Sequence, residues 1–182
     1  MVNPPPLSDL TVREWLGLHV PAEVDLEQQA LADLARQLHA EEDLWRPHVR
    51  LSTDERHYVQ LYRDPNVDIW LICWTDGQET GYHDHDRSKG GVVVCEGAVF
   101  EDYFQRGEDG WIRERTNRHE AGGAFDFDET YIHGVRYAAG EPAVSIHCYS
   151  PALWRMGNYE PGENGVLRRV SVTYADELLG VA

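Results

Sequence analysis

Two histidines, His83 and His85, stand two residues apart in the stretch GQETGYHDHDRSKGGVVVCEG, residues 77–97. On a β-strand, residues i and i+2 point to one face, so the pair presents two imidazoles side by side, as a metal ion needs. Two histidines on the solvent face of a strand would show the same spacing. Gly77 and Gly81 precede the pair and Gly90, Gly91 and Gly97 follow it, which suits tight turns and close backbone approach. By the same alternation Asp84 points away from the pair and reads as structural. A second polar group lies in the run SIHCY, Ser145 to Tyr149. Alternation puts Ser145, His147 and Tyr149 on one face and Val144, Ile146 and Cys148 on the other. Three polar side chains on a buried face are costly unless they hydrogen-bond one another or line a site. On an outward face they would be ordinary.

The frame around the histidine pair resembles the first cupin motif: Gly77, His83, His85 and Gly97 keep its spacing, and Gly90 stands where many cupins carry a glutamate ligand. Downstream, Gly122 and His133 resemble the second motif. The resemblance implies a third ligand at His133, completing three neutral nitrogen donors that suit iron, zinc, copper or nickel alike. Trp74 to His85, then His133 to Val135, then EPAVSIHCYSP (residues 141–151) further resemble the cysteine dioxygenase family of thiol dioxygenases, over roughly residues 25–155. That resemblance implies Fe(II) held by His83, His85 and His133, and a Ser145–His147–Tyr149 relay directed at it. It implies a small-molecule thiol such as L-cysteine and O2 as the partners, and a sulfinate as product. Gly90 excludes the cysteine–tyrosine cross-link of the animal members. The family holds the substrate carboxylate with an arginine, or with a glutamine in its mercaptopropionate branch, on the strand before H-x-H. Arg56, Tyr58, Gln60 and Arg63 are the candidates, the first three on one face and Arg63 on the other. 3-Mercaptopropionate and other small thiols are alternative substrates, and a zinc or manganese cupin isomerase or hydrolase is an alternative class.

The elements that must position these residues change character along the chain. Residues 1–7 are proline-rich and read as a loose arm. Thr11 and Glu14 have capping-box spacing for a short helix to about Leu18, which Pro21 breaks. Asp25 then reads as the cap of a longer helix to about Leu44, with Leu26, Ala30, Leu31, Leu34 and Leu38 as its apolar stripe. From residue 56 the pattern is one of short strands: His57–Tyr62, Val67–Trp74, Gly91–Cys95, Ala98–Phe104, Trp111–Thr116, Ala124–Phe127, His133–Tyr137, Ala143–Ser150 and a late edge strand, Arg168–Tyr174. VDIWLICW (residues 67–74) is apolar on both faces, as a strand covered on both sides would be. The expectation is an all-β fold, a cupin-type small β-barrel or jelly roll with N-terminal helices packed on its outside. One domain spans 1–182, with arm and helices to about residue 50 and barrel and C-terminal strand from 51.

Composition narrows the partners. A formal net charge of −16 repels nucleic acid and anionic membrane. Cys73, Cys95 and Cys148 are odd in number, widely spaced and set in apolar runs, which reads as core thiols in a reducing cytoplasm and not as a disulfide framework. The N-terminal segment has no signal-peptide pattern and no apolar run reaches membrane-spanning length. A monomer or homodimer is expected, with nothing in the sequence marking an interface.

Overall fold

A computed structural model describes residues 11–21, 23–110, 112–161 and 167–173. The expected arm at residues 1–7, Trp111 and Tyr174 lie outside these. Thr11 and Glu14 form the expected capping box, with the Glu14 carboxylate accepting the Thr11 N–H at 2.9 Å, and α1 (Val12–His19) follows. The next helix, α2 (Gln28–Ala40), starts later than the sequence suggests. Glu27, not Asp25, is its N-cap, and no side chain caps it. Asp25 instead accepts from Asn66 Nδ2 at 2.7 Å, tying the approach to the helix to a turn of the sheet. The helix also stops short of Leu44. The backbone leaves the helical region at Glu41, and a separate turn, α3 (Glu42–Trp45), carries the chain to the 3₁₀ segment containing Pro47.

The strands are β1 (Tyr58–Arg63), β2 (Asp68–Trp74), β3 (His83–Asp84), β4 (Lys89–Glu96), β5 (Ala98–Arg106), β6 (Ile112–Glu120), β7 (Ala124–Phe127), β8 (His133–Tyr137), β9 (Ala143–Ser150), β10 (Arg155–Pro161) and β11 (Leu167–Thr173). Among the described residues they make two antiparallel sheets, ordered β1-β2-β9-β4-β7 and β11-β10-β3-β8-β5-β6. The late strand is on an edge, as expected. β10 is not expected from the sequence, because RMGNYEP contains Gly157 and Pro161 and lacks alternation.

The first sheet is covered on both faces. Its outer face (Ile69, Leu71, Cys73, Val93, Ile146, Cys148) packs against Leu16, Leu31, Leu34 and Leu38 of the helices. Its inner face carries Trp70, Ile72, Trp74, Val92, Val94 and Tyr149 toward the second sheet. This is why β2 reads as apolar throughout. The three cysteines are free and buried, as expected.

Gly91 sets how closely α2 approaches. A Cβ there would fall on the backbone of Leu31 and Ala32, which cannot swing aside as a side chain tip can. Gly91→Ala is therefore expected to destabilise by roughly 1–3 kcal/mol, as overpacking does. That lowers Tm by about 2–4 °C for each kcal/mol. Gly17→Ala in α1 meets nothing within 4 Å and is expected to leave Tm level or raise it slightly. Calorimetry of both variants checks this; equal Tm values would mean that α2 is not seated on Gly91.

Candidate metal centre and its cavity

β3 and β8 run antiparallel with His83 directly opposite His133. His85 follows just past the end of β3, and all three rings are buried. Ring centroids lie 4.8 Å apart for His83–His85 and for His83–His133, and 5.3 Å apart for His85–His133. One ligand atom from each can be chosen so that all lie within 4.8 Å of one another. His83 donates its Nδ1–H to the Gly81 carbonyl at 3.1 Å, and His133 donates its Nδ1–H to Glu101 at 3.1 Å. In a neutral imidazole that leaves Nε2 as a lone pair. Both ring nitrogens of His85 are buried with no hydrogen-bond partner. A buried polar atom without a partner costs about 1–3 kcal/mol, so this ring needs an explanation that packing alone does not supply.

Burial, reinforced by the neighbouring His133, pushes the His83 imidazolium down to about 3. Burial and the other histidines hold His85 well below its ordinary range. These rings are neutral at pH 7, the state a metal requires. Glu101 is nearly fully buried on β5 and joins His133 to His119, whose Nε2–H it accepts at 2.9 Å. Burial alone would raise its pKa, but the bonds from His119 and His133 outweigh it and hold it at about 2. A carboxylate behind a ligating histidine orients the ring and raises its basicity. Glu101 and Phe127 are not among the site residues expected from the sequence. Alternation along AVFEDYF does signal that either Glu101 or Asp102 must face inward, but not which.

Gly90 pairs across the ladder with Tyr149. A Cβ at Gly90 would fall on the Phe127 ring. The glycine thus makes room for Phe127, which stacks on His85 at 4.6 Å.

β9 alternates as expected, and its polar face points inward. Trp74 Nε1–H donates to Ser145 Oγ at 2.8 Å, Ser145 Oγ is 2.8 Å from His147 Nε2, and His147 Nδ1 is 3.3 Å from the Tyr149 hydroxyl. Burial, reinforced by His133 and His83, lowers the His147 pKa to about 3, so the ring is neutral at pH 7 and carries one proton, on Nε2 toward Ser145 or on Nδ1 toward Tyr149.

A cavity of about 70 Å³ meets part of this set; His85, Ser145 and Trp74 are not among its lining residues. His83, His133, His147 and Tyr149 form its polar wall, with Arg56 and Tyr58 at the side, and Ile72, Val135, Leu153 and Met156 are among its apolar walls. Arg56 donates from Nη1 to the Glu79 carbonyl at 2.7 Å and lies 5.1 Å above the Trp74 ring. Gln60 and Arg63 are not among the lining residues. A register shift between Gln60 and Tyr62 turns the strand. It places Arg63 on the same buried carboxylate as Gln60, that of Asp68, and not on the opposite face expected from alternation. Gln60 Nε2 donates to Asp68 at 2.9 Å; Arg63 pairs with Asp68 and also donates to the Leu153 carbonyl at 3.0 Å.

Residues 10–161 match the protein family described as cysteine dioxygenase type I. The chain belongs to that family. Solved structures resembling this cysteine dioxygenase family member include a protein from Thermus thermophilus, 20% identical over 59% of this chain and 93% of that one, with a TM-score of 0.50. A conserved double-stranded β-helix protein from Klebsiella pneumoniae is 17% identical over 69% and 92% of the two chains, with a TM-score of 0.47. An RmlC-like cupin protein from Desulfovibrio desulfuricans is 21% identical over 57% and 90%, with a TM-score of 0.44. The likeness to the Thermus protein is one of fold, and the fold is the expected all-β cupin barrel with N-terminal helices.

As a member of a metalloenzyme family, the chain has residues that fit a divalent metal. Nε2 of His83, Nε2 of His133 and a ring nitrogen of His85 would hold it, and its arrival would satisfy the orphaned His85 ring. The donor set would accept iron as readily as zinc or copper. No helix among the described residues is long and apolar enough to cross a membrane.

Proposed function

We propose that this protein is an Fe(II)-dependent dioxygenase that converts a small thiol carrying a carboxylate to its sulfinate. The observation that carries the reading is one small cavity lined by His83, His133, His147, Tyr149 and Arg56, with His85 completing the buried histidine group and Ser145 and Trp74 continuing the hydrogen-bonded chain behind His147. Bound Fe(II) would supply the positive charge that favours thiolate over thiol and the redox chemistry that adds both atoms of O2 to sulfur. The overall change, RSH + O2 → RSO2H, balances without an external reductant.

The chain's own residues bind and orient. Arg56 would take the substrate carboxylate in a charge-assisted pair, fixing the sulfur at the histidine end. Tyr149 would donate a hydrogen bond toward the reacting sulfur or oxygen, with His147 and Ser145 holding its orientation. The apolar walls would exclude water and strengthen both interactions.

L-Cysteine and 3-mercaptopropionate both satisfy this reading. Among the described residues the cavity lining holds a cation but no Asp or Glu to pair with an α-ammonium, which favours the thiol without an amino group. Oxygen uptake by the Fe(II)-loaded protein against L-cysteine, 3-mercaptopropionate, mercaptosuccinate and cysteamine, with sulfinate quantified, tests it. One O2 consumed per sulfinate is expected with at least one carboxylate thiol, and little turnover with cysteamine, which lacks the carboxylate. No thiol-dependent uptake despite bound iron would sink the activity and leave another class of cupin metalloenzyme.

A further inference from the structure

Of the three candidate ligands, His83 sits on a very short strand and His85 just past its end. β3 is paired with β8 only at His83–His133, and with β10 only through Gly157–Asp84 and Asn158–His83. So short a ladder supplies few hydrogen bonds, and His85 lies beyond its end. The His85 carbonyl accepts the Ser88 N–H at 3.0 Å, and the rest of its hold comes from side chains around it.

Asp84, between the two histidines, is buried and accepts from several partners at once. Arg169 donates from Nε at 2.5 Å and from Nη2 at 2.7 Å, Tyr159 donates its hydroxyl at 2.8 Å, and the Asp86 N–H donates at 2.9 Å. Arg169 Nη2 also lies 3.5 Å from Asp86 Oδ1. Asp86 has a positive φ of 56°, a conformation that ordinary residues rarely adopt. The guanidinium therefore contacts the residues on both sides of His85, and the Asp86 N–H closes the turn between them on the Asp84 carboxylate.

Arg169 comes from β11, beyond the residues 10–161 that match the family. Its path to Asp84 passes over Gly157, where a Cβ would fall on the guanidinium. Its neighbour Arg168 instead pairs with Glu160 at 2.6 Å, with both side chains largely exposed. That pair ties the same two strands together without reaching β3.

We infer that Arg169 is a positioning residue for the metal centre, holding His83 and His85 in ligating geometry through Asp84 and Asp86. The inference rests on the metal reading of the three histidines. A bidentate arginine–carboxylate pair fixes direction as well as distance. Removing the arginine leaves a buried carboxylate with the Tyr159 hydroxyl and the Asp86 N–H but without its charged partner, and the turn it holds then loosens.

The test uses the full chain loaded with Co(II), whose visible spectrum reports ligand geometry whether or not the protein turns over any thiol. Loss of Co(II) to a chelator is followed by the decay of that spectrum. Arg169→Gln is expected to shift the bands and to speed metal loss by about tenfold or more, the scale that partners behind metal ligands carry. Arg168→Gln is expected to match the wild type. Arg169→Lys, which keeps the charge but not the fork, is expected to fall between them, and it serves if the glutamine variant does not fold. Wild-type spectrum and release rate in the Arg169 variants would overturn the clamp. So would equal effects of Arg168→Gln and Arg169→Gln, which would make β11 docking the cause. Failure of the wild type to bind Co(II) would overturn the metal reading and the clamp together. Retention of Co(II) by the wild type, with no thiol turnover by the Fe(II)-loaded protein, would overturn only the proposed reaction.

Discussion

His85→Ala is expected to cost the protein its metal. The variant loses one of three donors, and the remaining pair, His83 and His133, is held by Gly81 and Glu101 in orientations that suit a three-donor site. Loss of a ligand should exceed the roughly 10- to 100-fold that outer partners are worth in affinity. Metal-to-protein ratio after loading and gel filtration should therefore fall close to background, and thiol-dependent oxygen uptake with it. Stability should behave differently. The alanine leaves a cavity against Phe127 and Tyr149, which stack or tilt on His85 at 4.6 and 5.1 Å, and cavities destabilise. It also removes two buried nitrogens that have no hydrogen-bond partner in the protein itself, and such an atom costs about 1–3 kcal/mol if left unsatisfied. The two effects oppose one another, so the Tm of the metal-free variant should stay within a few degrees of the metal-free wild type. Normal metal occupancy in the variant would remove His85 from the ligand set.

Arg56→Leu is expected to give the second large loss, in kcat/KM for thiols that carry a carboxylate. Leaving a desolvated carboxylate without its charged partner costs about 2–5 kcal/mol; a 2–4 kcal/mol loss is roughly 30- to 1,000-fold in kcat/KM. Gln60→Ala should change kcat/KM far less, because Gln60 spends its amide on Asp68. Arg56 also braces the Glu79 carbonyl, close before the histidine pair, so a loss could arise from the loop. The substrate series separates these causes. A carboxylate contact predicts that carboxylate thiols lose rate while weak cysteamine turnover is unchanged; a disturbed loop lowers all of them alike. A larger loss from Gln60→Ala than from Arg56→Leu would return the carboxylate site to Gln60.

Much of this centre is legible in the chain because its logic is local. The period-two alternation that makes His83 and His85 neighbours, and that sets Ser145, His147 and Tyr149 apart from Val144, Ile146 and Cys148, is a property of any strand. The apolar run of β2 announces a strand covered on both faces, and the structure places helices on one side and the cavity on the other. The capping box of α1 is likewise readable from Thr11 and Glu14.

Other features depend on contacts between residues far apart in sequence. The direction of Arg63 was decided by a bulge in β1, since one extra residue reverses every face that follows it. Whether Asp25 caps α2 or meets Asn66 was decided by where the helix packs on Gly91 and where the turn at residues 64–66 lies. The inward choice of Glu101 over Asp102 follows from the pairing of β5 with β8, which sets Tyr103 against His133 and Glu101 against Val135. Arg169 meets Asp84 across 85 positions of sequence, through a strand whose composition does not announce it. The sequence by itself determined the alternating faces, which follow from backbone geometry, and its motifs pointed to the candidate histidines and the cupin fold through resemblance to a known family. Only the tertiary structure decided which charged residue faces which, because register, bulges and long-range packing set those directions after the strands have formed.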